Sequence, residues 1–147
     1  MGQRRRARIQ AVQVLYAIEF SGQPLTDALV GYLEMLEPAP QSQLHHFTME
    51  LLERAQENLE EIDRRLAEAV EHWQPERIAS VDRQILRVAV CEILYFEEIP
   101  PKVTINEYIE VARKLSGEDS AAFVNGVLDR IAHDIYTRSR DSVESPG

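Results

Sequence analysis

The sequence predicts an all-α fold of about seven helices, and three observations predict it. Apolar residues recur at helical spacing over most of the chain, no stretch sustains the alternation of a half-buried strand, and the few glycines and prolines fall mainly where helices would end. A chain of 147 residues suits one domain, long enough to bury roughly 70% of the surface its unfolded form exposes, so the core needs no covalent staple.

The first helix is expected from about Arg4 to Phe20, stopped by Ser21-Gly22 with Pro24 beyond. On its wheel Ile9, Val12, Tyr16 and Phe20 form a core stripe widened by Leu15 and Ile18, while Arg6, Gln10, Gln13 and Ala17 form a second row open to a partner. A second helix, about Thr26 to Glu37, carries Leu29, Leu33 and Leu36 and ends at the connector Pro38-Ala39-Pro40. From Leu44 to Trp73, apolar residues that include Phe47, Leu51, Ala55, Ile62 and Leu66 keep helical spacing for longer than one globular helix usually runs. Asn58 followed by Glu61 reads as an internal cap-and-reach pair that divides the segment in two.

Pro75 closes that run, and Ser80 is expected to cap the most apolar helix, Val81 to about Phe96. Glu92 falls in the middle of its apolar face with Ile85, Val88 and Ala89, so an ionised carboxylate there requires an arginine or a tyrosine hydroxyl inside the core. Ile99-Pro100-Pro101 forces an extended break, and Thr104-Ile105-Asn106-Glu107 reads as a capping box. The helix it opens turns Ile105, Tyr108, Ile109, Ala112 and Leu115 inward and ends at Gly117. The last helix starts around Asp119-Ser120 and buries Phe123 or Val124 with Val127, Leu128, Ile131 and Ile135; Gly126 inside it suggests close helix packing. After Tyr136 the polar tail 138-147 is expected to be disordered.

Charge is distributed unevenly. The chain carries 16 basic and 25 acidic residues for a net charge of -9, yet its first eight residues hold Arg4, Arg5, Arg6 and Arg8 and no acid. The global balance argues against broad nucleic-acid coating, so phosphate binding must be local to that cluster; from charge alone a solvated, frayed terminus fits equally well. Cys91, alone and set among Val88, Val90 and Ile93, reads as a small core residue. His45 and His46 point to different sides of a helix and His72 and His133 are isolated, so no metal site is expected. No phosphate loop, HExxH, CxxC or paired carboxylates at cleft spacing appear, which argues against an enzyme and against a cofactor. No window is apolar enough for a membrane span, and a cytoplasmic location is the expectation.

Two segments resemble the NusB family of transcription antitermination factors. The first is Arg4-Arg5-Arg6-Ala7-Arg8 leading into Ala11-Val12-Gln13 and Leu15-Tyr16. The second runs from Val81-Asp82 through Ile85-Leu86-Arg87-Val88-Ala89, Glu92-Ile93-Leu94, Ile99-Pro100-Pro101-Lys102-Val103 and Ile105-Asn106-Glu107 to Phe123-Val124-Asn125-Gly126-Val127-Leu128-Asp129. The resemblance implies two packed helical bundles in a single domain, 1-137, the first over about 3-55 and the second over about 58-137. It implies a non-catalytic adaptor that binds boxA RNA of ribosomal RNA leaders together with the ribosomal protein NusE and joins the RNA polymerase antitermination complex.

For RNA binding the resemblance implies Arg4, Arg5, Arg6, Gln13, Tyr16, Asp119, Ser120, Phe123 and Asn125; for the protein partner it implies Tyr16, Glu76, Asp82 and Arg87. The chemistry of the arginines agrees, because planar guanidinium forks suit phosphate. On the wheel alone Tyr16 and Phe123 read as core, and only the resemblance brings them to a surface where a base could stack. Asp119 beside RNA is unfavourable by itself and reads as a helix N-cap or a brake on affinity. Residues 21 to 75 match weakly, which leaves any homodimer surface open. Two alternatives stand beside this reading: the NusB-like RNA-binding domain of an rRNA methyltransferase, although these residues include no Gly-rich methyl-donor-binding domain, and a self-associating helical interaction protein.

Overall fold

Helix α1 (Gln3–Ser21) begins with its arginines already in the first turns, and Gly22 ends it in the left-handed conformation (φ 70°) that favours glycine. A computed structural model describes residues 2–34, 43–71 and 73–144. After α1 come α2 (Leu25–Glu34), α3 (Gln43–Glu57), α4 (Leu59–Ala69), a 3-10 turn (Pro75–Arg77), α5 (Ser80–Tyr95), α6 (Pro101–Ser116) and α7 (Glu118–Glu144). Among the described residues there is no strand. The connector Pro38-Ala39-Pro40 and His72 lie outside them.

One apolar cluster holds the helices together. It runs from Ala7, Ala11 and Val14 of α1 through Leu51 and Leu52 of α3 and Ile62 and Leu66 of α4 to Val88, Tyr108 and Leu128. Helix α5 is its axis, packing against α1, α3, α4, α6 and α7.

The buried face of α1 differs from the one expected on the wheel. Ala7, Arg8, Ala11, Val12, Val14 and Leu15 are buried, whereas Tyr16 is 39% and Phe20 68% exposed. Small residues win the inward positions because α1 lies close to α3 and α5, and the aromatic rings are left outside.

Glu92 has the partner its position requires. Fully buried, its carboxylate accepts from Arg8 Nε (2.9 Å) and Nη2 (2.5 Å), from Tyr108 Oη (2.8 Å) and from Thr104 Oγ1 (3.0 Å). Desolvation would lower the pKa of Arg8, but the hydrogen bonds and charge of Glu92 more than reverse it and hold the guanidinium above its ordinary value. This cluster ties α1, α5 and α6 together at a point where an unpaired charge would be prohibitive.

Three expected caps serve other purposes. Helix α6 starts at Pro101, a favourable first position, so Thr104 and Glu107 lie inside it and turn to Glu92 and to the arginines of α1. Ser80 is the first residue of α5, preceded by Ala79, and its hydroxyl donates to Glu19 of α1. Asn58 does divide α3 from α4, but its side chain donates to the Arg54 carbonyl (2.8 Å) and so closes α3 instead of opening α4.

Asp119 is likewise in the first turn of α7 and not its cap. Gly126 is exposed, with nothing within 4 Å of the place a Cβ would take, so it serves no close packing. Helix α7 continues to Glu144, through most of the stretch expected to be disordered. Extending a formed helix costs far less than nucleating one, which lets a polar sequence follow the packed turns before it.

Candidate nucleic-acid interface

Four arginines enter α1 in sequence, and helical geometry spreads them around it. Successive residues turn by about 100°, so neighbours cannot share a face. Arg4 reaches over the Phe47 ring of α3, 4.9 Å from its centre. Arg5 is held by Glu107 of α6 through Nε (2.7 Å) and Nη2 (3.1 Å), a bond that raises the arginine and lowers the carboxyl from their ordinary values. Arg8 is in the core. Arg6 is exposed and makes no side-chain hydrogen bond or ion pair among the described residues.

From Arg6 an exposed strip follows one side of α1. Gln13, Tyr16, Ala17 and Phe20 continue it at helical spacing, and the Tyr16 and Phe20 rings pack with centres 4.8 Å apart. Cation and aromatic faces are thus presented together on a protein whose net charge is -9. Sequence reasoning missed Phe20 as a surface residue, because a phenylalanine in register with Val12 looks like core.

The far end of α1 is tied to the start of α5. Glu19 accepts from Ser80 and from Gln84 Nε2 (3.2 Å) and pairs with Arg83, whose own donors close on the carbonyls of Pro75 and Ile78. In the same turn of α5 Asp82, nearly buried, accepts from Ser120 Oγ of α7 (3.1 Å), while its Oδ1 has no partner. The start of α7 and the far end of α1 therefore meet the same turn of α5. A rise of about 1.5 Å per residue places that end of α1 roughly 22 Å along the helix from Arg4.

The α7 residues do not all share that side. Phe123 is 37% exposed on the same flank as Ser120, while Val124 takes the buried position. Asn125, two residues on, falls on the opposite flank with Glu118, whose carboxylate accepts from Arg113 of α6 (2.7 Å). Of the residues assigned to RNA, Arg6, Gln13 and Tyr16 lie along the exposed strip of α1, Ser120 and Phe123 share a flank of α7 with Asp119 in the same turn, and Asn125 lies on the other flank.

The expected partner residues divide similarly. Glu76 is exposed on the 3-10 turn, whereas Asp82 is mostly covered and Arg87 is engaged by Asp63 (2.9 and 3.0 Å). Cys91 is buried with its thiol on the Leu51 carbonyl, and burial pushes its pKa up to about 12. Among the described residues no group of His, Cys, Asp or Glu could hold a metal ion, and no helix is long and apolar enough to cross a membrane.

A family model described as the NusB family matches residues 5–133. The transcription antitermination protein NusB of Solibacter usitatus is 41% identical over 135 residues, 92% of each chain, and that of Geobacter sp. strain M21 is 42% identical over 138 residues, 90% of this chain and 95% of its own. Among solved structures, T. maritima NusB superposes with a TM-score of 0.79 at 35% identity, covering 88% of this chain and 90% of that one. A chain in a crystal structure of the antitermination factors NusB and NusE in complex with dsRNA superposes with a TM-score of 0.79 at 25% identity, covering 89% and 96%. With a family model spanning most of its length and relatives above 40% identity across nearly all of it, this chain belongs to the NusB family.

Proposed function

We propose that this protein is an RNA-binding adaptor in transcription antitermination, gripping boxA-type single-stranded RNA together with NusE and entering the elongating polymerase complex without catalysing a reaction. The observation that carries this reading is the exposed strip of α1, in which Arg6 supplies charge and Tyr16 and Phe20 supply stacking surface. Its relatives are transcription antitermination proteins, and one structural neighbour is seen with NusE and RNA. The cytoplasm is the compartment this role requires.

The site is composite. Arginines at one end of α1 attract and orient phosphates, and the exposed rings of Tyr16 and Phe20 on α1 and of Phe123 on α7 offer apolar surface for a base or for NusE. Glu76 adds exposed negative charge on the 3-10 turn, which suits a basic ribosomal protein.

Replacing Arg4, Arg5 and Arg6 together by alanine tests the reading. Gel-shift affinity for boxA-type RNA is expected to fall and its salt dependence to flatten. Unchanged affinity would remove the arginines from the site.

A further inference from the structure

Glu107 is half-buried, yet it points its carboxylate at the phosphate-binding end of α1. Its two oxygens take the Nε and Nη2 donors of Arg5, and Oε2 also lies 3.8 Å from Nη1 of Arg8. Arg8 in turn is fixed by Glu92, with Tyr108 and Thr104 completing that buried set. A rigid chain of contacts thus runs from the core to the Arg5 guanidinium. Arg5 carries five donors in one plane, and Glu107 occupies two on one edge, leaving the Nη1 side for another oxyanion.

We propose that Glu107 is a positioning residue for RNA: it clamps Arg5 by its Nε–Nη2 edge so that the opposite edge is presented to a phosphodiester. This rests on the RNA-binding reading above and adds a residue whose charge points away from such a role, since a carboxylate facing RNA is on its face a repulsive group. The two effects differ in size. One carboxylate about 7 Å from a phosphate in water weakens binding about threefold before salt screens it, whereas an unclamped arginine must lose its rotamer freedom on binding, which costs about tenfold or more. Positioning therefore outweighs repulsion.

The sign of one substitution separates the two. A labelled boxA-type RNA is titrated by fluorescence anisotropy, with NusE present, against the wild-type chain, E107Q, R5A, R5K and the R5A/E107Q pair. E107Q is expected to bind about threefold to tenfold more weakly although it makes the protein less negative, and to change affinity less than twofold in the R5A background. R5K, which keeps the charge but cannot be held by two parallel bonds, is expected to match R5A within about twofold, and this arm stands even if E107Q fails to fold. Tighter or unchanged binding by E107Q, an equal loss in both backgrounds, or wild-type binding by R5K overturns the proposal while leaving RNA binding intact. A wild-type chain that fails to bind this RNA overturns both.

Discussion

Arg6 and Arg8 sit two residues apart on one helix and do opposite work. Arg8 is 3% exposed and spends its charge on a carboxylate in the core, whereas Arg6 faces solvent. Their difference follows from the turn of the helix: one lies over Ala11 and Leu15, against α5, and the other lies over Gln13 and Phe20, against water. A run of arginines is therefore not one patch. The inward face of α1 fixes the fold, and the outward face is left in solvent.

The largest effect should come from the inward face. Arg8→Met strands Glu92 and is expected to lower stability by about 3–5 kcal/mol in chemical denaturation, with part of the loss restored by the double change Arg8→Met, Glu92→Gln, whose uncharged side chain still accepts from Tyr108 and Thr104. A small loss in the single variant would mean that the cluster is not what joins α1 to α5 and α6. On the outward face, Phe20→Ala should leave the unfolding midpoint where it is but weaken assembly with RNA and NusE by about 1–2 kcal/mol, the scale of one stacked base. A drop in stability of that size would return Phe20 to the core.

Arg6→Ala alone should reduce the slope of log affinity against log salt by about 0.7, the share of one phosphate contact on a single strand, with no change in stability. Asp119→Asn, which removes an exposed negative charge beside Phe123, is expected to tighten RNA binding by about 0.5 kcal/mol at low salt. The core behind α1 also sets a pH dependence. Burial, then the charge of Glu92, push the Tyr108 phenol well above its ordinary 10, and burial pushes the Cys91 thiol from 9 to about 12. Both folded values exceed the unfolded ones, so the unfolded chain loses its protons first. Stability is full below about pH 9 and declines as pH rises toward 12, measurable as a falling denaturation midpoint.

Much of the fold is legible because periodicity is a local signal. Helices α1 and α5, the stop at Gly22 and the need of Glu92 for an arginine or tyrosine all follow from spacing and from the cost of a buried charge. What spacing does not give is the rotation of α1, because Tyr16 and Phe20 are as apolar as the alanines that displaced them inward, and only the closeness of α3 and α5 decides. Thr104, Glu107 and Ser80 fit capping patterns, yet their side chains serve long-range partners that no local window contains. The same limit applies to the site. The arginines and Tyr16 are visible as a motif, but that Arg5 is clamped, that Phe123 shares a flank with Ser120 and that Asn125 does not depend on how α1, α5, α6 and α7 meet.

The composite surface on the outward face is tested most directly by titrating labelled boxA-type RNA with this protein, with NusE, and with both. If α1 supplies phosphate contacts at one end and a partner-dependent surface at the other, the pair binds the RNA more tightly than either protein alone. Equal affinity for the pair and for the better single binder would contradict the composite site.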